Sequence, residues 1–113
     1  MSVDLIIWNR LTNEPLPSLS VGNQLSIMNY WIPAANFLEL VWIPYYFISG
    51  AQVQRENIPT VIAEFKQIQS ALRTKPPSYI PTHKIDQMLN DIPWLIDALE
   101  NAPEGPEIEI CFA

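Results

Sequence analysis

His83 and Cys111 are the single histidine and the single cysteine of a 113-residue chain, and so the one pair that could form an imidazole-activated thiolate. That chemistry needs the two side chains within hydrogen-bond reach and a third group to orient the ring. Neither residue sits in a motif. His83 follows Pro81 where a helix is expected to start, and Cys111 lies two residues from the C-terminus in an alternating stretch. A solvated histidine and a small, weakly polar thiol account for both positions. One histidine and one cysteine cannot complete a zinc site. The twelve carboxylates lack the close Asp/Asn spacing and pivot glycine of a calcium loop, and three isolated glycines cannot cradle a phosphate. The residues predict no catalytic group, no metal and no cofactor. The chain reads as a binding protein rather than an enzyme.

Charge is more informative. Through Lys84 six bases face five acids. From Ile85 to Ala113 the acids Asp86, Asp91, Asp97, Glu100, Glu104, Glu107 and Glu109 face no base, so the net −6 divides into +1 and −7. A one-signed surface steers positively charged partners toward it. It disfavours direct nucleic-acid binding, which needs Lys and Arg at the phosphates. Within this tail a helix beginning at Asp91 would turn about 100° per residue. Ile92, Leu95, Ile96 and Leu99 would form its apolar face, with Trp94 nearly opposite, between Asp91 and Asp97. Either another element folds over that ring, or it is an aromatic anchor ringed by acids, as interface hot spots are. The expected partner-binding residues are Asp91, Trp94, Asp97, Glu100, Asn101, Glu104, Glu107 and Glu109.

Several elements must position these groups. Val3–Trp8 is an apolar, β-branched run that predicts a strand with both faces mostly covered. Residues 11–23 have loop composition, with Asn13, Pro15, Pro17, Ser18, Ser20, Gly22 and Asn23. Leu25, Met28 and Ile32 fit one helical face that Pro33 stops or restarts. Phe37–Trp42 and Tyr45–Ile48 lean toward a second strand, with Pro44 at an edge, a short buried helix being the alternative. Ser49-Gly50 reads as a turn. From Ile58 the apolar residues Val61, Ile62, Phe65, Ile68 and Leu72 mark an amphipathic helix, with Asn57 near its cap. A proline-rich connector, Thr74–Pro81, leads to a helix from Thr82 to Asn90. Pro93 should then divide it from a second helix, Asp91 to Asn101, on the same apolar face. Strict alternation over Glu107–Phe112 sends Ile108, Ile110 and Phe112 inward and both glutamates outward.

These elements predict one α+β domain over residues 1–113. Its small sheet includes the N- and C-terminal strands, packed against two to three amphipathic helices. Hydrophobic residues form 49% of the chain and charged residues 16%, a composition that argues against disorder. The apolar stretch Tyr30–Ile48 is broken by Pro33, Glu39 and Pro44, so it reads as core rather than a membrane span. A lone cysteine and the absence of a signal-peptide pattern after Met1 point to a soluble, cytoplasmic protein. The aromatics Tyr30, Trp31, Trp42, Tyr45, Tyr46 and Phe47 read as core packing, or alternatively as a cleft for a peptide or small ligand.

This layout, with a strand at Val3–Trp8, a helix opening Ile58-Pro59-Thr60-Val61-Ile62-Ala63-Glu64-Phe65 and a closing strand at Glu107–Phe112, resembles immunity proteins of bacterial polymorphic toxin and contact-dependent inhibition systems. The resemblance lies in size, charge and element order. It implies an acidic inhibitor that binds and neutralises a cognate toxin domain, often a basic nuclease. A homo-oligomer built on a sheet edge or the aromatic segment is the competing reading. Glu107 and Glu109 argue against self-pairing at the last strand, because like charges would face one another.

Overall fold

Alternation at the two ends of the chain produces two strands of one sheet. The computed structural model describes residues 2–15 and 18–113. The N-terminal strand β1 (Ser2–Asn9) occupies the centre of an antiparallel sheet, and β4 (Ile108–Phe112) lies along one edge of it. Along the other edge run β2 (Glu14–Pro15) and then β3 (Leu19–Asn23), with a register shift between Val3 and Asp4. Leu5 pairs with Phe112, and Ile7 with Ile110. These four side chains are buried under the helices. The period of two puts Ile6, Trp8, Glu109 and Cys111 on the opposite face, where all are half-buried. β1 is thus covered fully on one face, not on both as its apolar run suggested.

The stretch expected to be loop contains β3. Its burial signal is thin, since only Val21 is fully buried and Ser20 and Asn23 face solvent. Leu16 and Pro17 of that stretch lie outside the described residues. Asn23 ends the strand and caps the next helix, its Oδ1 accepting the Ser26 N–H at 2.8 Å. Helix α1 (Gln24–Ser26), a π turn (Ile27–Trp31) and α2 (Ile32–Phe37) then run on without interruption. The wider π turn lies directly ahead of Pro33, at the place where the proline cannot donate a backbone bond. It also rotates the buried side to Ile27, Trp31 and Ile32, leaving Leu25 and Met28 exposed. The face read from Leu25, Met28 and Ile32 was therefore wrong in two of its three members.

The second strand expected over Phe37–Trp42 and Tyr45–Ile48 is absent from these residues; Phe37 ends α2, and the alternative of a short buried helix is met by α3 (Trp42–Ser49). The deciding interaction is tertiary. Glu64 is 5% exposed, and its carboxylate accepts the backbone N–H groups of Val41, Trp42 and Ile43 at 3.4, 3.1 and 2.8 Å. No local side chain caps α3, so a distant acid satisfies its first donors. Gly50 (φ 66°) ends the helix in the left-handed conformation.

Helix α4 (Ile58–Thr74) carries Val61, Phe65, Ile68 and Leu72 into the core. A 3-10 turn (Arg55–Asn57) leads into it, but the Asn57 amide donates to the Tyr46 hydroxyl at 3.0 Å and does not cap the helix. Helix α5 (Thr82–Glu100) is a single helix with Pro93 inside it, not two. Pro93 is exposed, while Met88, Ile92, Leu95 and Leu99 are buried in one unbroken row. Keeping that row intact outweighs the roughly 3 kcal/mol that an interior proline costs. Ile96, expected on the apolar face, is half-buried at the margin of the row, as is Leu89. Helix α4 packs between α3 and α5; α3 lies against β4 and α5 against β3. Trp31, Phe47, Phe65 and Phe112 meet at the centre, with ring centroids 4.9–6.2 Å apart. The aromatic segment is thus largely core, with Tyr45 exposed. Among the described residues no helix is long and apolar enough to cross a membrane.

Candidate functional site

Trp94 projects from the middle of α5 and is 63% exposed. Among the described residues no element folds over the indole. The reason is the packing of its own helix, since Leu95 and Ile92 are fully buried against the core and turn Trp94 away from it. Asp91 and Asp97 flank the ring one turn to either side. Asp97 accepts the Asn101 side-chain amide at 2.9 Å, which orders the helix end. At the foot of the ring lies a hollow of about 310 Å³, bounded by Leu19 and Ser20 of β3 and by Asn90, Asp91 and Leu95 of α5. Burial in this corner raises the Asp91 carboxyl from its ordinary value, and a hydrogen bond from Asn90 opposes the shift in part.

The eight predicted contact residues do not form one surface. Asp91, Trp94, Asp97 and Glu100 share α5, with Asn101 at its C-cap, on the β3 side of the sheet. Glu104 lies in the following turn, and Glu107 and Glu109 belong to the approach and body of β4, at the opposite edge. Two arginines from the first half of the chain fold onto this second group. Arg10 pairs with Glu109 at 3.3 Å and donates to the Pro106 carbonyl. Arg55 donates to the carbonyls of Ala102 and Pro103. The tail that is one-signed in sequence is therefore neutralised at Glu109 and bordered by a second cation, Arg55, while Asp86, Asp91, Asp97 and Glu100 of α5 make no ion pair among the described residues. Leu19 and Ser20 escaped the sequence reading because β3 itself did.

His83 is exposed in the first turn of α5 and Cys111 is half-buried on the outer face of β4. Burial, reinforced by the neighbouring Glu109, pushes the Cys111 thiol up, the wrong direction for a nucleophile. Among the described residues no three His, Cys, Asp or Glu side chains are grouped to hold a metal ion.

A second concavity was not visible in the sequence. The C-terminal ends of α2 and α4 and the connector Lys75–Tyr79 enclose about 510 Å³ of mainly apolar space. The exposed residues Val41, Tyr45 and Ile48 form a third apolar feature, a stripe along α3.

No family model matches the chain, and no curated protein or solved structure is detectably similar to it.

Proposed function

We propose that this protein is a binding module that captures and neutralises a partner protein, as an immunity protein does a toxin domain, with Trp94 as its anchor. The exposed indole on a well-packed helix is the observation that carries the reading. Trp94 contributes nothing to the core, and a large exposed aromatic beside a hollow is the composition of an interface centre. The surrounding Asp91, Asp97 and Glu100 favour a basic partner with an apolar group to set against the ring. Raised by burial, Asp91 would gain most from a cation brought by that partner. Immobilised protein, exposed to lysate of its source cells, should retain one basic protein that the Trp94→Ala variant does not. Expressed alone, the retained protein should arrest growth, and co-expression of the wild type but not Trp94→Ala should restore it. Retention by both forms would remove Trp94 from the interface, and a harmless retained protein would remove the neutralising role.

The homo-oligomer reading is favoured by one observation, the charge-free stripe Val41, Tyr45 and Ile48 on α3. The β4 edge is a poor alternative, because the Val53 N–H already donates to the Ile110 carbonyl at 2.6 Å. Sedimentation equilibrium of wild type and Tyr45→Lys decides it. A dimer dissolved by that substitution supports self-association through α3.

A further inference from the structure

We infer that the cavity between the ends of α2 and α4 binds a small amphiphile of the fatty-acid type, its hydrocarbon chain inside and its carboxylate at Lys75. The volume of about 510 Å³ falls within the range of small-ligand sites. Ala34, Ile68 and Leu72 form a buried floor, and Phe37 and Tyr79 stand exposed at the mouth. Pro76 and Pro77 stiffen the remaining wall, so little ordering is required on binding.

Charge selects the head group. The stretch 65–79, which supplies most of the wall, carries Lys66, Arg73 and Lys75 and no carboxylate, within a chain of net charge −6. Lys75 is the one charged residue lining the cavity, and it makes no ion pair among the described residues. Glu39 follows Leu38 in sequence but is not part of the wall. Burial pushes the Tyr79 phenol up, so the mouth gains no negative charge from it at neutral pH. A peptide segment fits less well than a hydrocarbon chain. It would bring a row of backbone donors and acceptors into a space whose side-chain hydroxyls are only Thr74, its proton already donated to the Ser70 carbonyl, Ser78 and, at the mouth, Tyr79.

Calorimetric titration with decanoate and with decyltrimethylammonium tests this, since the two have hydrocarbon chains of nearly equal length and head groups of opposite charge. Decanoate should bind with 1:1 stoichiometry and a Kd of the order of 0.1–1 mM, from the usual yield per heavy atom of ligand. The cation should bind at least about tenfold more weakly, and Lys75→Glu should reverse the preference. Ala71→Trp, which fills the cavity, should abolish binding of both. Phe37→Ala removes a ring that is 77% exposed and should weaken decanoate severalfold while leaving the fold intact. Equal affinity for the two head groups, or a preference that Lys75→Glu leaves unchanged, would overturn the assignment. So would concentration-dependent self-association abolished by Phe37→Ala, which would give the cavity to a second copy of the chain.

Discussion

Glu64 Oε1 accepts the Ile43 N–H at 2.8 Å, and through this bond α4 fixes where α3 begins. The same carboxylate takes the Trp42 and Val41 donors on its other oxygen. Glu64→Ala would leave these part-buried donors without a partner. We expect it to cost about 3 kcal/mol or more in denaturant unfolding, since bonds to a charged acceptor contribute about 1.5–3 kcal/mol each and orphaned donors add to the loss. Glu64→Gln keeps one acceptor oxygen and should cost less. Amide exchange should show α3 opening first in both variants. Wild-type stability in Glu64→Ala would mean that α3 is held by its apolar contacts alone.

The terminal strands, α4 and the apolar row of α5 were legible because each is written in local periodicity. Residues 42–49 were not, because aromatic and β-branched residues suit strand and helix alike and Glu64 decides from outside the segment. Pro93 misled for the opposite reason, a local rule yielding to a continuous buried face. At the candidate site, the outward direction of Trp94 followed from helical angles alone. The partial neutralisation of the acidic tail did not, because Arg10 and Arg55 reach it through the fold. The lysine-edged cavity was illegible for a similar reason, its walls coming from two stretches, 34–38 and 68–79, that only the fold brings together.

Phe65 is fully buried, with the rings of Trp31, Phe47 and Phe112 around it at 6.0–6.2 Å. Phe65→Ala should destabilise the protein by about 3–5 kcal/mol, the range for truncating an enclosed aromatic. A loss below about 1 kcal/mol in a denaturant titration would show that the rings close over the gap without penalty.

Pro93 withholds one backbone donor in the interior of α5 while its own side chain faces solvent. Pro93→Ala restores the donor and removes the ring from the preceding turn. It also frees the unfolded chain, a loss of about 0.4–1 kcal/mol set against the interior-proline cost of roughly 3 kcal/mol. We therefore expect a net gain of about 2 kcal/mol and no change in the buried row. An unchanged or lower midpoint would show that the helix has already relaxed around the proline.

Asp91 has its carboxyl raised, first by burial, with the Asn90 bond opposing. A folded-state value above the unfolded one means that folding favours the protonated form. That contribution is complete at pH below the ordinary carboxylate range and is lost as pH rises through the raised range. Asp91→Asn should therefore melt higher than wild type at pH 7, with the difference shrinking as pH falls through the carboxylate range. A gap that is the same at pH 3 and pH 7 would assign the effect to packing rather than to ionisation.

Trp94, being 63% exposed, should be replaceable by Ala with a stability change within about 0.5 kcal/mol. Its role in the proposed complex predicts a different outcome for binding. Truncating a desolvated aromatic anchor costs about 2 kcal/mol or more, at least roughly thirtyfold in affinity, and it should appear as faster dissociation. Reversing Asp97 and Glu100 to Lys should instead slow association, because steering depends on the summed field. Reversing Glu104 should matter less, since Arg55 donates to the neighbouring turn and Arg10 to the strand beyond it. Raising salt from about 0.05 to 0.5 M should slow wild-type association strongly and the Asp97/Glu100 variant little, as screening shortens the reach of the charges. Stopped-flow measurements against the captured partner separate these outcomes. Equal effects from Glu104 and from Asp97 with Glu100 would return the interface to the whole tail, and no effect from any would move it to the exposed stripe on α3.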